Sequence, residues 1–250
     1  MTDDLSSSKA AALIDYGGRL RIGMLIPSAN VIVEPQVRAM LPAGVSVHFT
    51  RLPLRGSSVP ELLAMVENVE VAASLLADAK VDLIAFNCTA VSTFSPQLER
   101  EICERIEQAT GTQAVTTGQA LAASLRALHA RKIMLLTPYT QEINDREATF
   151  LRAEGIQVVA SAGLALNTPG EMAALPSEIW LRLGKQHRTP EAEACLISCT
   201  AVRSAEVIVE LEEELGCPVV TSNQALTWHC LRLKGLRDSV SGFGRLLTGC

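Results

Sequence analysis

The sequence predicts an α/β protein made of two pseudo-symmetric, facing lobes, each a four-stranded parallel sheet flanked by helices. Three observations lead there: a composition able to form a large core, apolar runs alternating with amphipathic helical patterns, and an internal repeat. Of 250 residues, 48% are hydrophobic and 20% charged. That much apolar surface offsets the entropy lost on ordering the chain and is too much for a disordered one. A chain of this length buries roughly 70–75% of its unfolded surface, so it needs no staple to complete a core.

The elements follow in order. Residues 1–18 read as a loose, flexible polar arm closed by Gly17-Gly18. Strands are expected at 21–26, 45–51, 81–86, 114–117, 132–137, 156–160, 194–198 and 218–221. Continuous apolar strands separated by helical patterns imply sheets buried on both faces and built from βαβ units. The helix after Phe94 illustrates the local logic: Ser95 caps it and Pro96 suits its first position. Leu98, Ile102 and Ile106 then form one apolar stripe, and Gly111 ends it. The first lobe is expected over 19–120 and the second over 121–225, with a C-terminal helical segment, 226–250, packing back on the first.

The repeat organises the whole. Asn87-Cys88-Thr89-Ala90-Val91 returns as Ser198-Cys199-Thr200-Ala201-Val202, and the same shift of 111 residues maps Pro27 onto Pro138 and Gly44 onto Gly155. Farther on, the stretch from Gly111 to Leu121 resembles that from Gly216 to Leu226, at a shift of 105. Separated anchors sharing one offset point to two similar halves related by a pseudo-two-fold axis, since two repeats are too few for a solenoid.

Charge and cysteine usage narrow the function. Against 22 basic residues stand 27 acidic ones, a formal charge of −5, which argues against nucleic acid but leaves room for a small anionic ligand. Residues 1–20 carry Asp3, Asp4 and Asp15 and read as no secretory leader, and no run approaches the roughly 20 apolar residues of a membrane span. Seven cysteines, irregularly spaced, do not form a disulfide framework, so a reduced, cytoplasmic protein is expected. Cys195 and Cys199 share a Cys-x3-Cys spacing, but with only four scattered histidines and no paired Cys-x2-Cys no metal is expected. Gly242-Phe243-Gly244 lacks the strand and spacing of a dinucleotide fingerprint, and no cofactor is implied.

Ligands of open parallel sheets bind beyond the carboxyl ends of the strands. Each Cys-Thr-Ala-Val follows an apolar strand and precedes a helix, so Cys88 and Cys199 fall at strand ends, across one cleft from each other. Two opposed thiols suit moving protons or adding a nucleophile at a planar carbon. A helix N-terminus is expected to lower a thiol from its usual value of about 8.5. Thr89 and Thr200 place hydroxyls beside the sulfurs, where backbone N–H groups can hold a carboxylate. Ser28 and Asn30 follow the first strand, and Tyr139 holds the matching place in the second repeat. Thr116-Thr117-Gly118-Gln119 and Thr221-Ser222-Asn223-Gln224 follow the last strands. As a set these are candidate donors to an anionic substrate, with turn and helix-cap chemistry as the competing use. Cys103, Cys217, Cys230 and Cys250 read as structural. His129 and His229 read as helix-end or surface residues, and Glu212-Glu213-Glu214 as a solvated helix face. Arg203 either reaches a substrate carboxylate or decorates its helix.

These residues resemble the maleate cis-trans isomerase branch of the aspartate/glutamate racemase superfamily, which also holds arylmalonate decarboxylases. The resemblance runs from about Arg19 to the C-terminus. It rests on Pro27-Ser28-Ala29-Asn30 with Glu34, both Cys-Thr motifs, Thr137-Pro138-Tyr139 and the stretch from Pro218 to Ala225. It implies an active site between the lobes and a cofactor-independent isomerase acting on a small dicarboxylate such as maleate, typically as a homodimer or larger homo-oligomer. Cys88 would be the nucleophile, Cys199 its acid/base partner, and Asn30, Tyr139 and Asn167 carboxylate ligands. Decarboxylases of this group carry one catalytic cysteine, in the second repeat, so the presence of Cys88 favours isomerisation. A two-cysteine amino-acid or hydroxy-acid racemase, a decarboxylase-like enzyme and a non-catalytic carboxylate-binding protein are the alternatives. Val31-Ile32 and Ala90-Val91-Ser92 replace small residues common in the family, which changes the expected shape of the cleft.

Overall fold

A computed structural model describes residues 15–250; residues 1–14 of the expected arm lie outside them. The first half runs β1 (Leu20–Pro27), α1 (Val33–Ala39), β2 (Val45–Leu52), α2 (Val59–Ala64), α3 (Val69–Asp78), β3 (Leu83–Phe86), α4 (Thr89–Ser92), α5 (Pro96–Thr110), β4 (Ala114–Thr116) and α6 (Thr117–Ala127). The second runs β5 (Lys132–Thr137), α7 (Gln141–Ala153), β6 (Gln157–Gly163), α8 (Pro169–Ala174), α9 (Glu178–His187), β7 (Ala194–Ile197), α10 (Ile208–Leu215), β8 (Val219–Thr221), α11 (Ser222–Leu233) and α12 (Gly244–Gly249).

The two sheets have the same topology, β2-β1-β3-β4 and β6-β5-β7-β8, parallel throughout. The sequence repeat is therefore a structural repeat. In each sheet the chain leaves the first strand for one neighbour and then returns to the other side. The strand order thus reverses beside β1 and β3, and again beside β5 and β7, where open α/β sheets form their ligand crevice.

Strand side chains alternate between two apolar clusters. Ile22, Met24 and Ile26 enter one and Leu25 the other, and each cluster draws residues from both halves. Shared cores of this kind fix the lobes against each other through burial of apolar surface. Helix α11 packs against its repeat counterpart α6 and also meets α1. The expected borders after residues 120 and 225 fall inside α6 and α11, unbroken helices whose first residues continue directly from β4 and β8. No described helix is long and apolar enough to cross a membrane.

Local signals behave as the residues demand. Ser95 accepts the Leu98 N–H at the start of α5, and Gly111 ends that helix at φ 67°, in the left-handed region open to glycine. The main extension beyond expectation is β6, which continues to Gly163 along the full length of β5. Its last residues alternate in exposure at the sheet edge, so no continuous apolar run marks them. Glu212 departs from the solvated face expected for residues 212–214. It is buried, and its carboxylate accepts the Val219 and Arg245 N–H groups, tying α10 to β8 and α12.

Candidate active site

The carboxyl ends of β1, β3, β5 and β7 open onto one narrow cleft. Asn30 enters it after β1, Cys88 after β3, Tyr139 after β5, and Cys199 with Thr200 after β7. Leu54, Leu62, Pro169 and Met172 supply apolar walls, and none of the described lining residues is charged. A carboxylate here would be held by neutral donors, in surroundings where hydrogen bonds are stronger than in water.

Backbone geometry fixes each group. Asn30 turns its Oδ1 onto the Ile32 and Val33 N–H groups at 2.9 and 3.2 Å, and its Nδ2 donates to Thr200 Oγ1 at 3.2 Å. One amide hydrogen then remains for a ligand. Arg51 clamps this turn from outside, donating to the Ser28 and Asn30 carbonyls and pairing with Glu34 at 2.6 Å. Tyr139 is set by a second turn: its N–H donates to Thr137 Oγ1, which in turn donates to Asn144 Oδ1.

Both thiols are buried, Cys88 at 5% and Cys199 at 3% exposure. The lowered pKa values expected beside helix N-termini do not occur. Burial dominates, pushing Cys88 up to about 12, and a charge on Cys199 would raise it further. The Val91 and Ala90 N–H groups act in the opposite direction on Cys88. Burial pushes Cys199 up to about 11, offset in part by hydrogen bonds from the Tyr139 hydroxyl and the Ala201 N–H, the latter at 3.3 Å. Desolvation outweighs the N–H groups at both thiols: α4 after Cys88 is a single turn, and Cys199 is followed by a turn in place of the helix expected there.

The sequence profile of the arylmalonate decarboxylase family matches residues 22–247. The chain belongs to the arylmalonate decarboxylase family. Among relatives, the maleate isomerase of Nocardia farcinica (strain IFM 10152) is 31% identical over 242 residues, covering 92% of this chain and 96% of that protein. The arylmalonate decarboxylase of Bordetella bronchiseptica is 29% identical over 230 residues, covering 90% and 95%. Among solved structures, a Cys-to-Ala variant of the maleate isomerase Iso from Pseudomonas putida S16 with maleate superposes at a TM-score of 0.89, with 25% identity and coverage of 92% and 98%. A Cys-to-Ser mutant of the Nocardia farcinica maleate cis-trans isomerase, with a covalently bound succinylcysteine intermediate, superposes at 0.88, with 26% identity and coverage of 92% and 99%.

In this member of the arylmalonate decarboxylase family, several expected ligands do not line the cleft. Ser28 spends its hydroxyl on the Leu54 backbone, donating to the carbonyl and accepting from the N–H, so it positions a cleft wall. Thr89 donates to Ser222 Oγ at 2.9 Å and is turned away. Asn167 is exposed and lines an outer cavity with Arg55 and Arg146, and its carbonyl accepts from Ser57 Oγ at 2.9 Å. Thr116 with Gln119 and Thr221 with Gln224 form helix capping boxes, the competing use of those residue types. Arg203 pairs with Glu206 on the surface, and Asn223 is buried behind the cleft on Gln36 and the Thr200 carbonyl.

Sequence reasoning missed the cleft walls. Leu54, Ser57, Leu62 and Met172 come from loops and short helices that carry no motif, and Met172 Sδ lies 3.9 Å from Cys199 Sγ. The tight bonding of Ser28 to Leu54 had no sequence signal beyond its place in the Pro27-Ser28-Ala29-Asn30 turn.

Proposed function

We propose that this protein is a cofactor-independent cis-trans isomerase converting maleate, or a closely similar small cis-dicarboxylate, to its trans isomer. The observation that carries the reading is two thiols, one from each half, on one cleft whose described lining holds hydrogen-bond donors and no charged group. The seven cysteines are free, which suits a cytoplasmic enzyme. A two-fold homo-oligomer is the common assembly for such a chain.

The residues divide the work as follows. Asn30, Thr200 and Tyr139 hold the carboxylates. Cys88 sulfur bonds to one alkene carbon, and the π electrons move onto the adjacent carboxylate as an enediolate that these donors stabilise. As the sulfur bonds, the Cys88 proton passes to Cys199 while Cys199 gives its own proton to the other alkene carbon, so Cys88 ends as a thioether, Cys199 as a thiol, and one proton in all goes to the substrate. The carbon–carbon bond is now single and rotates. Reversal of the same steps breaks the carbon–sulfur bond and releases the trans acid, with both thiols restored. A succinylcysteine in the Nocardia farcinica relative supports such an adduct here.

Two opposed thiols also suit a racemase, in which one removes an α-proton and the other returns it on the opposite face. A proton NMR time course with maleate, run beside amino-acid and hydroxy-acid substrates, separates the two. Fumarate production supports the isomerase, and racemisation without fumarate overturns it.

A further inference from the structure

The pseudo-two-fold sets the two thiols at matching strand ends, yet an addition mechanism needs them to differ. The surroundings behind them do differ. The 111-residue repeat pairs Gln36 with Glu147 and Asn87 with Ser198, and the 105-residue repeat pairs Asn223 with Gly118. Gln36, Asn87 and Asn223 form a network of neutral amides that runs from the residue before Cys88 to the Thr200 and Val202 carbonyls beyond Cys199. Asn87 Nδ2 donates to Asn223 Oδ1 at 3.1 Å, Asn223 Nδ2 to Gln36 Oε1 at 2.8 Å, and Gln36 Nε2 to the Val202 carbonyl at 3.1 Å.

In the second half the position matching Gln36 carries a carboxyl group instead. Glu147, on α7, is 0% exposed, and Ser198, the residue before Cys199, donates its hydroxyl to Glu147 Oε1. Glycine at 118 offers no side chain where the other half has the Asn223 amide, and Glu147 Oε2, buried as well, has no hydrogen-bond partner among the described residues. A buried carboxyl group with one open oxygen is costly to keep unless the position needs it.

Resting on the isomerase reading, we propose that Glu147 is a positioning residue for Cys199: buried on α7 and bonded to the Ser198 hydroxyl, its carboxyl group fixes the strand end that carries Cys199 and governs release of the Cys199 proton. Burial raises Glu147 to about 8, against the Ser198 hydroxyl, which favours the charged form. Once ionised, its charge opposes loss of a proton from both Cys199 and Tyr139. Those two are the titratable groups that meet it. Its helix neighbour Arg146 turns to Glu142 and the Phe94 ring. Glu99, on α5, is bonded to Thr116, and β6 carries no titratable side chain.

The test uses the full chain without substrate. Iodoacetamide alkylation of each cysteine is followed against pH by peptide mass spectrometry in wild type and Glu147→Gln. The proposal expects Cys199 in Glu147→Gln to react about threefold faster or more near pH 9, the effect of half a unit or more in its midpoint. The Cys88 profile should move less, and kcat on maleate should fall with KM little changed. An unmoved Cys199 midpoint, or equal shifts at both thiols, overturns it. Should Glu147→Gln fail to fold, Ser198→Ala removes the donor that favours the Glu147 carboxylate and is expected to move Cys199 in the same direction; no movement there is equally decisive. Because alkylation needs no turnover, a chain that fails to make fumarate would defeat the isomerase reading without deciding this result.

Discussion

Tyr139 is the side chain in which the two functions of the cleft meet, since it lines the cleft with Cys199 and acts on that thiol while facing the space a carboxylate would fill. Burial and the neighbouring thiols and Glu147 hold its hydroxyl well above the usual tyrosine range, so it stays a donor throughout catalysis. Tyr139→Phe is expected to lower kcat/KM by about 100-fold or more, the cost of one preorganised donor, and to raise the Cys199 alkylation midpoint. Steady-state kinetics and the alkylation profile check the two parts. At this scale the sequence was half legible. Cys88, Cys199, Asn30 and Tyr139 stand at strand ends, where topology alone brings them together. Ser28, Thr89 and Thr116 stand there too, but a hydroxyl serves a turn, a cap or a ligand equally well, and only the direction of its hydrogen bond decides. Glu147 was invisible because a glutamate in a helix pattern reads as surface until the packing around it is known.

Elements deliver those residues by means of turns that tolerate little change. Gly163 closes β6 beside the Tyr139 turn, and a Cβ there would lie 2.7 Å from the Tyr139 carbonyl oxygen and against the Asn144 amide. Gly163→Ala is therefore expected to displace that turn, costing about 1–3 kcal/mol of stability and at least tenfold in kcat/KM, as read by thermal denaturation and kinetics. Ser95→Ala removes the α5 cap alone; it is expected to cost about 1 kcal/mol and leave kcat/KM unchanged. Elements with strong punctuation, such as α5 between Ser95 and Gly111, were legible to the residue. The far half of β6 was not, because an edge strand with an alternating, half-exposed face lacks the apolar run by which its buried neighbours announce themselves.

Across the whole molecule, the repeat in the sequence became two sheets of one topology, and this is why the architecture was readable without structure. The closeness of the lobes was less so, since clusters shared between them and the join through α6 depend on packing. Two buried carboxyl groups add a pH signature. Burial raises Glu99 to about 7 and Glu147 to about 8, so the folded state binds their protons more tightly than the unfolded chain does. Their contribution is complete below the ordinary carboxylate range and is lost as pH rises through about 7 and 8. The melting temperature is expected to fall between about pH 5 and about pH 9, with Glu147→Gln flattening the upper part of that fall.

The central claim is covalent: Cys88 adds to the alkene, and Cys199 supplies and removes the proton that completes each half of the cycle. Mass spectrometry of Cys199→Ser and Cys88→Ser after incubation with maleate, with peptide mapping of any adduct, tests it directly. The account predicts that Cys199→Ser, in which solvent slowly protonates the enediolate in place of the missing thiol, gains the mass of one maleic acid on Cys88, that Cys88→Ser gains none, and that neither variant turns over. An adduct on any other cysteine, or fumarate formed by Cys88→Ser, would contradict it.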